Sequence, residues 1–313
     1  MANLVAMKNR AIPGSPVASR LLRLAARLVS RRDAGLVFGA LLALFAGNAA
    51  AQNGETPGGT QVAPQRIVSL NVCTDQLLMQ MVAPRRIAAL SFLARDPRIS
   101  AMAREARRLP TTSGVAEEVI ALQPDLVLAG TFSTRQTVSL LRRLNYRVVE
   151  FDPETDIAAI KRNIRKLAVA IGERRRGEAM IAAIDRRLDA VPPTPQIRPL
   201  YADYDANGYT SGSGTLLASL ARIAGFEMLG ERLGFAGPRQ VSLEQMLVAR
   251  PAVIDPAAGY SGPALATQML RHPALKRLMR ESRVVRVPSA YTTCGNLQSL
   301  RALDLLLQTR RTL

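Results

Sequence analysis

DIAAIKRNIRKLAVAIGERRRGEAMIAAIDRRLDAV, Asp156 to Val191, is the longest helical pattern in the chain, and its place in the middle decides how the rest is divided. Ile157, Ile160, Ile164, Leu167 and Ile171 recur at steps of three and four, one apolar stripe on a 3.6-residue period. The stripe then meets Gly172 and the polar run Glu173-Arg174-Arg175-Arg176, and resumes at Met180, Ile181, Ile184 and Leu188. Glycine suits a helix C-cap because the left-handed backbone that closes a helix costs it least. The spacing therefore predicts two helices, 156–171 packed on what precedes it and 173–191 as a bridge, stopped by the run PPTP, Pro192 to Pro195. A continuous strut of that length, roughly 28 Å at about 1.5 Å per residue, resists hinge bending, so only small relative motions of the two sides are expected.

On either side the same grammar appears. Residues 66–71 (RIVSLN), 86–91 (RIAALS), 125–130 (DLVLAG) and 147–152 (RVVEFD) have strand patterns, with helical patterns at 74–81, 115–122 and 135–144 between them. Beyond the bridge, strands are expected at 198–204, 252–255 and 284–288, and helices at 214–224, 242–249, 264–269 and 297–307. Short, nearly continuous apolar strands alternating with helices imply mainly parallel sheets covered on both faces. The expected fold class is α/β: two lobes joined by a single long bridging helix, residues 66–172 and 192–313 flanking 173–191.

At 313 residues, with 48% hydrophobic and 21% charged side chains, the chain has the composition of a globular protein of two ordinary domains. The net charge of +18 invites a nucleic-acid reading, but the arginines are scattered along helices with no aromatic-studded basic strand among them. A solvated basic surface fits better, and no nucleic-acid partner is expected. Part of the charge lies in residues 1–51, which read as an export signal. Arg20 to Arg32 gives a basic region, Leu36 to Gly47 (LVFGALLALFAG) an apolar one, and Ala49-Ala50-Ala51 small residues for cleavage before Gln52. Residues 52–65 follow as a flexible leader, and the mature chain is expected in the periplasm.

His272 is the only histidine, so neither a His-based catalytic triad nor a multi-His metal centre can be built. Gly212-Ser213-Gly214-Thr215 resembles a phosphate-cradling turn but lacks the flanking Lys-Ser/Thr, and reads as a helix entry capped by Thr215 or Ser213. No catalytic residue, resident metal or cofactor is expected. Cys73 and Cys294, one in each half, are the only cysteines. They are read either as a disulfide of an exported protein or as two separate thiols.

One internal echo is specific. Glu117 to Val127 (EEVIALQPDLV) matches Glu244 to Ile254 (EQMLVARPAVI), every pair 127 residues apart. Each copy is a helix stopped at a proline that launches the next strand, with a glutamate seven residues before that proline. Ser242 with Gln245 forms a capping-box pattern in the second copy. Taken singly, each glutamate complements a helix dipole; their matched placement suggests a shared docking role.

These features together resemble the substrate-binding proteins of ABC importers for vitamin B12, ferric siderophores and haem. The resemblance covers most of Arg66 to Leu313. It rests on Arg66 to Leu78 (RIVSLNVCTDQLL), on Glu117 to Val127, and on Tyr209 to Thr215 (YTSGSGT) with Ile223-Ala224-Gly225-Phe226 and Val241-Ser242-Leu243-Glu244. It implies a monomer that takes up a metal chelate or corrinoid and delivers it to an inner-membrane permease with its ATPase. In it the first-turn glutamates, here Glu117 and Glu244, dock on arginine pockets of the two permease subunits. Ligands of open α/β sheets sit beyond the carboxyl ends of the strands. Candidates there are Asn71, Cys73, Thr74, Phe92, Arg95, Phe132 and Arg135 in the first half, and Tyr204, Tyr209, Tyr260 and Tyr291 in the second. Aromatic faces suit a corrin, porphyrin or catecholate, and Arg an anionic chelate. With no Trp in the chain, a Trp-lined corrinoid pocket is not available. The alternatives are an exported, esterase-like α/β enzyme and a bare-metal binder of similar shape.

Overall fold

The computed structural model describes residues 62–194, 196–256 and 268–313. The export segment, most of the leader, the start of the helix expected at 264–269, and Tyr260 lie outside the described residues.

The first half lays down β1 (Ile67–Ser69), α1 (Val72–Met81), β2 (Ile87–Ser91), α2 (Ala103–Ala106), β3 (Thr111–Thr112), α3 (Ala116–Ala121), β4 (Leu126–Gly130), α4 (Arg135–Arg143) and β5 (Val148–Phe151). Its strands form one parallel sheet in the order β3-β2-β1-β4-β5. The linking helices are α5 (Ile157–Ile171) and α6 (Arg174–Asp189). The second half holds β6 (Leu200–Tyr204), β7 (Tyr209–Thr210), α7 (Leu216–Ile223), β8 (Glu227–Met228), α8 (Leu229–Arg232), β9 (Arg239–Gln240), α9 (Leu243–Ala249), β10 (Val253–Pro256), α10 (Pro273–Glu281), β11 (Arg283–Val284) and α11 (Ser299–Arg310). Strands β11-β10-β6-β8 make the second parallel sheet, and β7 with β9 an antiparallel ribbon. The fold is α/β in two lobes.

The continuous apolar strands are explained by burial on both faces. In β1 and β4, Ile67, Leu126 and Leu128 join the central core, while their alternating neighbours Val68, Val127 and Ala129 pack in a separate outer core under α3 and α4. In the second lobe, Tyr201 and Val253 face the central core, and Leu200, Ala202, Tyr204 and Ile254 an outer one. The echo extends to the backbone: Gln123 and Arg250, each directly before its proline, both adopt a left-handed φ of 45°. In the first copy Arg66 donates to the carbonyl oxygens of Leu122 and Gln123 left open at that helix end. The capping box at Ser242 and Gln245 is present.

Gly172 does close α5, in the left-handed conformation at φ 78°. The bridge is more than a lone strut. Helix α6, 16 residues and about 24 Å long, folds back along α5, and Gly177 allows the approach: a Cβ there would stand 2.5 Å from that of Ala168. Ile164 and Leu167 of α5, Ile181 and Ile184 of α6, and Leu303 and Leu306 of α11 belong to one core shared by both lobes. A second link is covalent. Cys73, in the first turn of α1, forms a disulfide with Cys294, with Cα atoms 4.9 Å apart across 221 residues of sequence. Among the described residues no helix is long and apolar enough to cross a membrane.

The sequence pattern missed α10, whose Pro273 sits at its first position behind the cap His272, and it drew the last strand too long, at 284–288 where only Arg283–Val284 pairs. A disulfide that closes so long a loop restricts the unfolded chain. Cys294→Ser is therefore expected to leave a folded protein that is less stable by about 2–5 kcal/mol. A urea midpoint unchanged by the substitution would mean that the mature protein does not carry the crosslink.

Candidate functional site

Two recesses open at the carboxyl ends of the two sheets, one on each side of the segment Ser289–Gly295. Thr293 lines the first and Thr292 the second. The first-lobe recess encloses about 350 Å³ and the second about 190 Å³.

The first recess is built at the ends of β1, β4 and β5. Asn71 caps α1, its Oδ1 accepting from the Cys73 backbone at 2.9 Å while its Nδ2 donates to Ser133 Oγ at 3.3 Å. This crossing needs Gly130, where a Cβ would lie 2.7 Å from Asn71 Nδ2. Phe132, next along, is 76% exposed and lines the opening. Glu154 closes the back. Its carboxylate accepts from Asn163 Nδ2 at 2.5 Å and from the Gly295 backbone at 3.4 Å. Burial raises its pKa above the ordinary value, against the pull of those two bonds.

In the second recess, Asp203 and Asp255 are register partners on β6 and β10, so their side chains leave the sheet on the same face. Asp203 accepts from Ser211 Oγ at 2.6 Å, from the Ser211 backbone at 3.0 Å and from Thr210 Oγ1 at 2.9 Å. Asp255 accepts from the Tyr201 hydroxyl at 2.6 Å and the Val287 backbone at 3.3 Å. Burial raises both carboxyls, Asp255 to about 7 with help from the Asp203 charge. Tyr201 is pushed well up by its burial and by the Asp255 charge.

The residues expected from sequence divide into two groups. Asn71, Cys73 and Phe132 line the first recess together. Phe92 stands 58% exposed just past β2, and Arg135 is exposed at the start of α4. Tyr209 is exposed on the β7–β9 ribbon, and Tyr291 is half-buried under the Arg301 guanidinium, 5.7 Å from its ring centre. Four do not offer a free side chain: Cys73 is held in the disulfide with Cys294, and three others are engaged by hydrogen bonds. Thr74 is buried, its hydroxyl bonded to Ser69 and to the Asn71 carbonyl. Arg95 donates to the carbonyl oxygens of Ala106 and Leu109, where its charge steadies the end of α2. Tyr204 borders the second recess, but it is 0% exposed and its hydroxyl donates to the Val241 carbonyl. It shares strand parity with Leu200 and Ala202, which sends it to the outer core. The same parity would have found Asp203, one residue earlier. Asp152, Glu154, Ser211 and Asp255 were missed because polar residues at strand ends give no periodic signal.

Of the consecutive acids opening α3, Glu118 accepts from Thr112 Oγ1 and from the backbone and hydroxyl of Ser113, at 2.7–2.9 Å. These bonds hold its carboxyl below the usual range. Glu117 is exposed and takes no part in that network. Glu244, exposed in the first turn of α9, is also lowered, by its own backbone N–H and by Ser242. Among the described residues no group of three or more His, Cys, Asp or Glu could hold a metal ion.

A larger cavity than either recess, about 680 Å³, lies elsewhere: it is lined by Met79, Val82, Ile87 and Leu109 at the amino end of β2, with Arg104 and Arg108 also on its wall. The paired recesses remain the better candidate, because they sit where parallel α/β sheets present the ends of several strands.

A family profile described as periplasmic binding protein matches residues 67–291. Two curated relatives, each named cobalamin-binding protein and from two strains of Halobacterium salinarum, are 27% identical over 239 residues, covering 74% of this chain. The chain spans 62% of the length of those relatives. Among solved structures, the periplasmic heme-binding protein RhuT from Roseiflexus sp. RS-1 is similar with a TM-score of 0.63 at 18% identity, over 78% of this chain and 98% of that one. The periplasmic vitamin B12-binding protein BtuF of Vibrio cholerae is similar at 0.60 and 17%, over 80% and 98%. These likenesses describe the fold.

Asp75 offers a test of the site's scaffold. Buried in α1, it holds the Ser91 backbone and hydroxyl at the end of β2, and burial raises its pKa from 3.8 to about 7. The native state thus keeps a proton that the unfolded chain has released. Its contribution is fully present below about pH 3.8 and is lost as pH rises through about 7, a change of about 4 kcal/mol for a shift of this size. Asp75→Asn, which cannot ionise, is expected to flatten the fall in urea midpoint between pH 4 and 8. An unchanged slope would place the retained proton on another group.

Proposed function

This chain belongs to the periplasmic binding protein family, and on that premise we propose that it is the solute-binding component of an ABC importer. It captures a metal chelate, either a corrinoid, haem or ferric siderophore, in the interlobe cleft and delivers it to an inner-membrane permease with its ATPase. It binds without turnover, acts in the periplasm after export, and works as a monomer. The observation that carries this reading is the pair of recesses at the carboxyl ends of both sheets, facing a common segment, Ser289–Gly295, with Phe132 exposed at the opening. The cobalamin-binding name of the curated relatives favours a corrinoid within that class.

A hydrolase reading gains no support from the site. His272, the one histidine, is the cap of α10, and its Nδ1 accepts from the Ala274 backbone at 3.2 Å. The docking role falls to Glu117 and Glu244, one exposed carboxylate on each lobe beside an exposed apolar side chain, Val115 and Val248 respectively.

Purified mature protein is expected to bind one equivalent of a chelate and return it unchanged, read by absorbance titration with cyanocobalamin, hemin and ferric siderophores. No binding to any of them would overturn the proposal. The double variant Glu117→Arg, Glu244→Arg is expected to keep ligand affinity and lose uptake in cells. A loss of affinity instead would move those carboxylates into the ligand site.

A further inference from the structure

The chain as a whole is strongly basic, at +18, yet its cleft is the opposite. Asp203, Asp205 and Asp255 line the second recess, Asp152 and Glu154 the first, and no Lys, Arg or His is among the described residues lining either. The exposed Arg286 does act on Asp255 from outside the lining, as the weakest of the influences on it. Arg95, a natural partner for an anionic ligand, lines neither recess and donates to the carbonyls of Ala106 and Leu109.

Three of the hydroxyls lining the second recess do not offset this, and the exposed Ser289 keeps an uncommitted one. Ser211 spends its proton on Asp203, Thr215 on the Gly212 carbonyl at 2.9 Å, and Thr292 on the Ser289 carbonyl at 3.3 Å. What these three groups and the ionised carboxylates leave toward the recess is lone pairs. A ligand carboxylate placed there would meet like charge and mainly acceptors, with the Ser289 hydroxyl as the exception. An N–H donor would satisfy the acceptors and ease the repulsion between the paired acids Asp203 and Asp255. The first recess supplies a different contact: the exposed Phe132 and Pro153 give it apolar surface suited to a flat ring.

We infer that the cleft selects a chelate whose rim donates N–H hydrogen bonds, as carboxamide or ammonium, and carries no carboxylate, and that Asp203 and Asp255 impose this choice. The inference rests on the chelate-binding reading above and narrows it: an amide-rimmed ring or cationic chelate is preferred to an acidic one. Asp203 and Asp255 act on the ligand directly, while Tyr201 and Ser211 position them.

The test compares ligands that share a metal-binding core and differ in the charge of the rim. Three pairs cover the three classes: dicyanocobinamide with dicyanocobyrinic acid, the bis-amide of hemin with hemin, and ferrioxamine B with its N-succinyl derivative. For whichever pair binds the wild-type protein, the amide or ammonium member is expected to bind about tenfold or more tightly than its carboxylate counterpart. Asp203→Asn and Asp255→Asn are each expected to bring that ratio toward one, mainly by improving the carboxylate member. A carboxylate member that binds as tightly as its partner overturns the inference and leaves the chelate-binding reading standing, as does a ratio that folded variants leave unchanged. If circular dichroism shows a variant unfolded, the wild-type ratios decide alone. Binding of no member of any pair by folded wild-type protein would instead overturn the reading itself, and the inference with it.

Discussion

Gly295 has room for a hydrogen and nothing larger: a Cβ there would stand 2.4 Å from Glu154 Cβ and from Ile160 Cγ1. That approach lets a segment of the second half press into the first lobe, with Cys294 crosslinked to α1 and the Gly295 N–H directed at Glu154. Much of the architecture follows from it. The segment separates the two recesses, walls the first with Thr293 and the second with Thr292, and leads into α11, whose Leu303 and Leu306 enter the same core as Ile164 and Ile184. The interlobe contact is thus held by tight packing, one covalent bond and a continuous apolar core. Each resists a hinge motion between the lobes.

The charge distribution follows from where carboxylates can be tolerated. Asp75, Glu154, Asp203 and Asp255 are all raised by burial as the largest influence, and each is held by two or more donors from hydroxyls, amides or backbone N–H groups. Neutral donors satisfy a buried acid without the desolvation cost of bringing in a cation. Arg86 is the buried exception, paired with Glu173; the other described arginines lie nearer the surface. They pair with acids there, as Arg187 does with Asp304 between α6 and α11, or finish helix ends, as Arg66 and Arg95 do. A basic exterior around an acidic cleft is the outcome of that sorting.

The fold was largely legible because its signals are periodic. Apolar strands, the stripe from Ile157 to Ile171, the break at Gly172 and the echo at 127 residues all survive as local patterns. Elements without such a pattern were missed: β3, β7, β8 and β9 are two residues each, and α10 hides behind His272-Pro273. The candidate site was legible only in part. Asn71, Cys73 and Phe132 follow apolar strands directly and were found by position. Tyr204 was picked for its ring, although the alternation of β6 turns it to the outer core and leaves Asp203 facing the cleft. Whether Cys73 and Cys294 pair depends on a contact across 221 residues, which no local pattern reports.

The entry of Thr293 to Gly295 into the first lobe also bears on modularity. By sequence the chain divides neatly at the bridge, and each half carries a complete parallel sheet. By packing it does not. A fragment ending at the bridge would expose Glu154, Ile160 and an unpaired Cys73, and would lose one wall of its own recess. The lobes are therefore poor candidates for shuffling with those of a relative: a chimera would have to carry the last twenty or so residues along with the first lobe they complete.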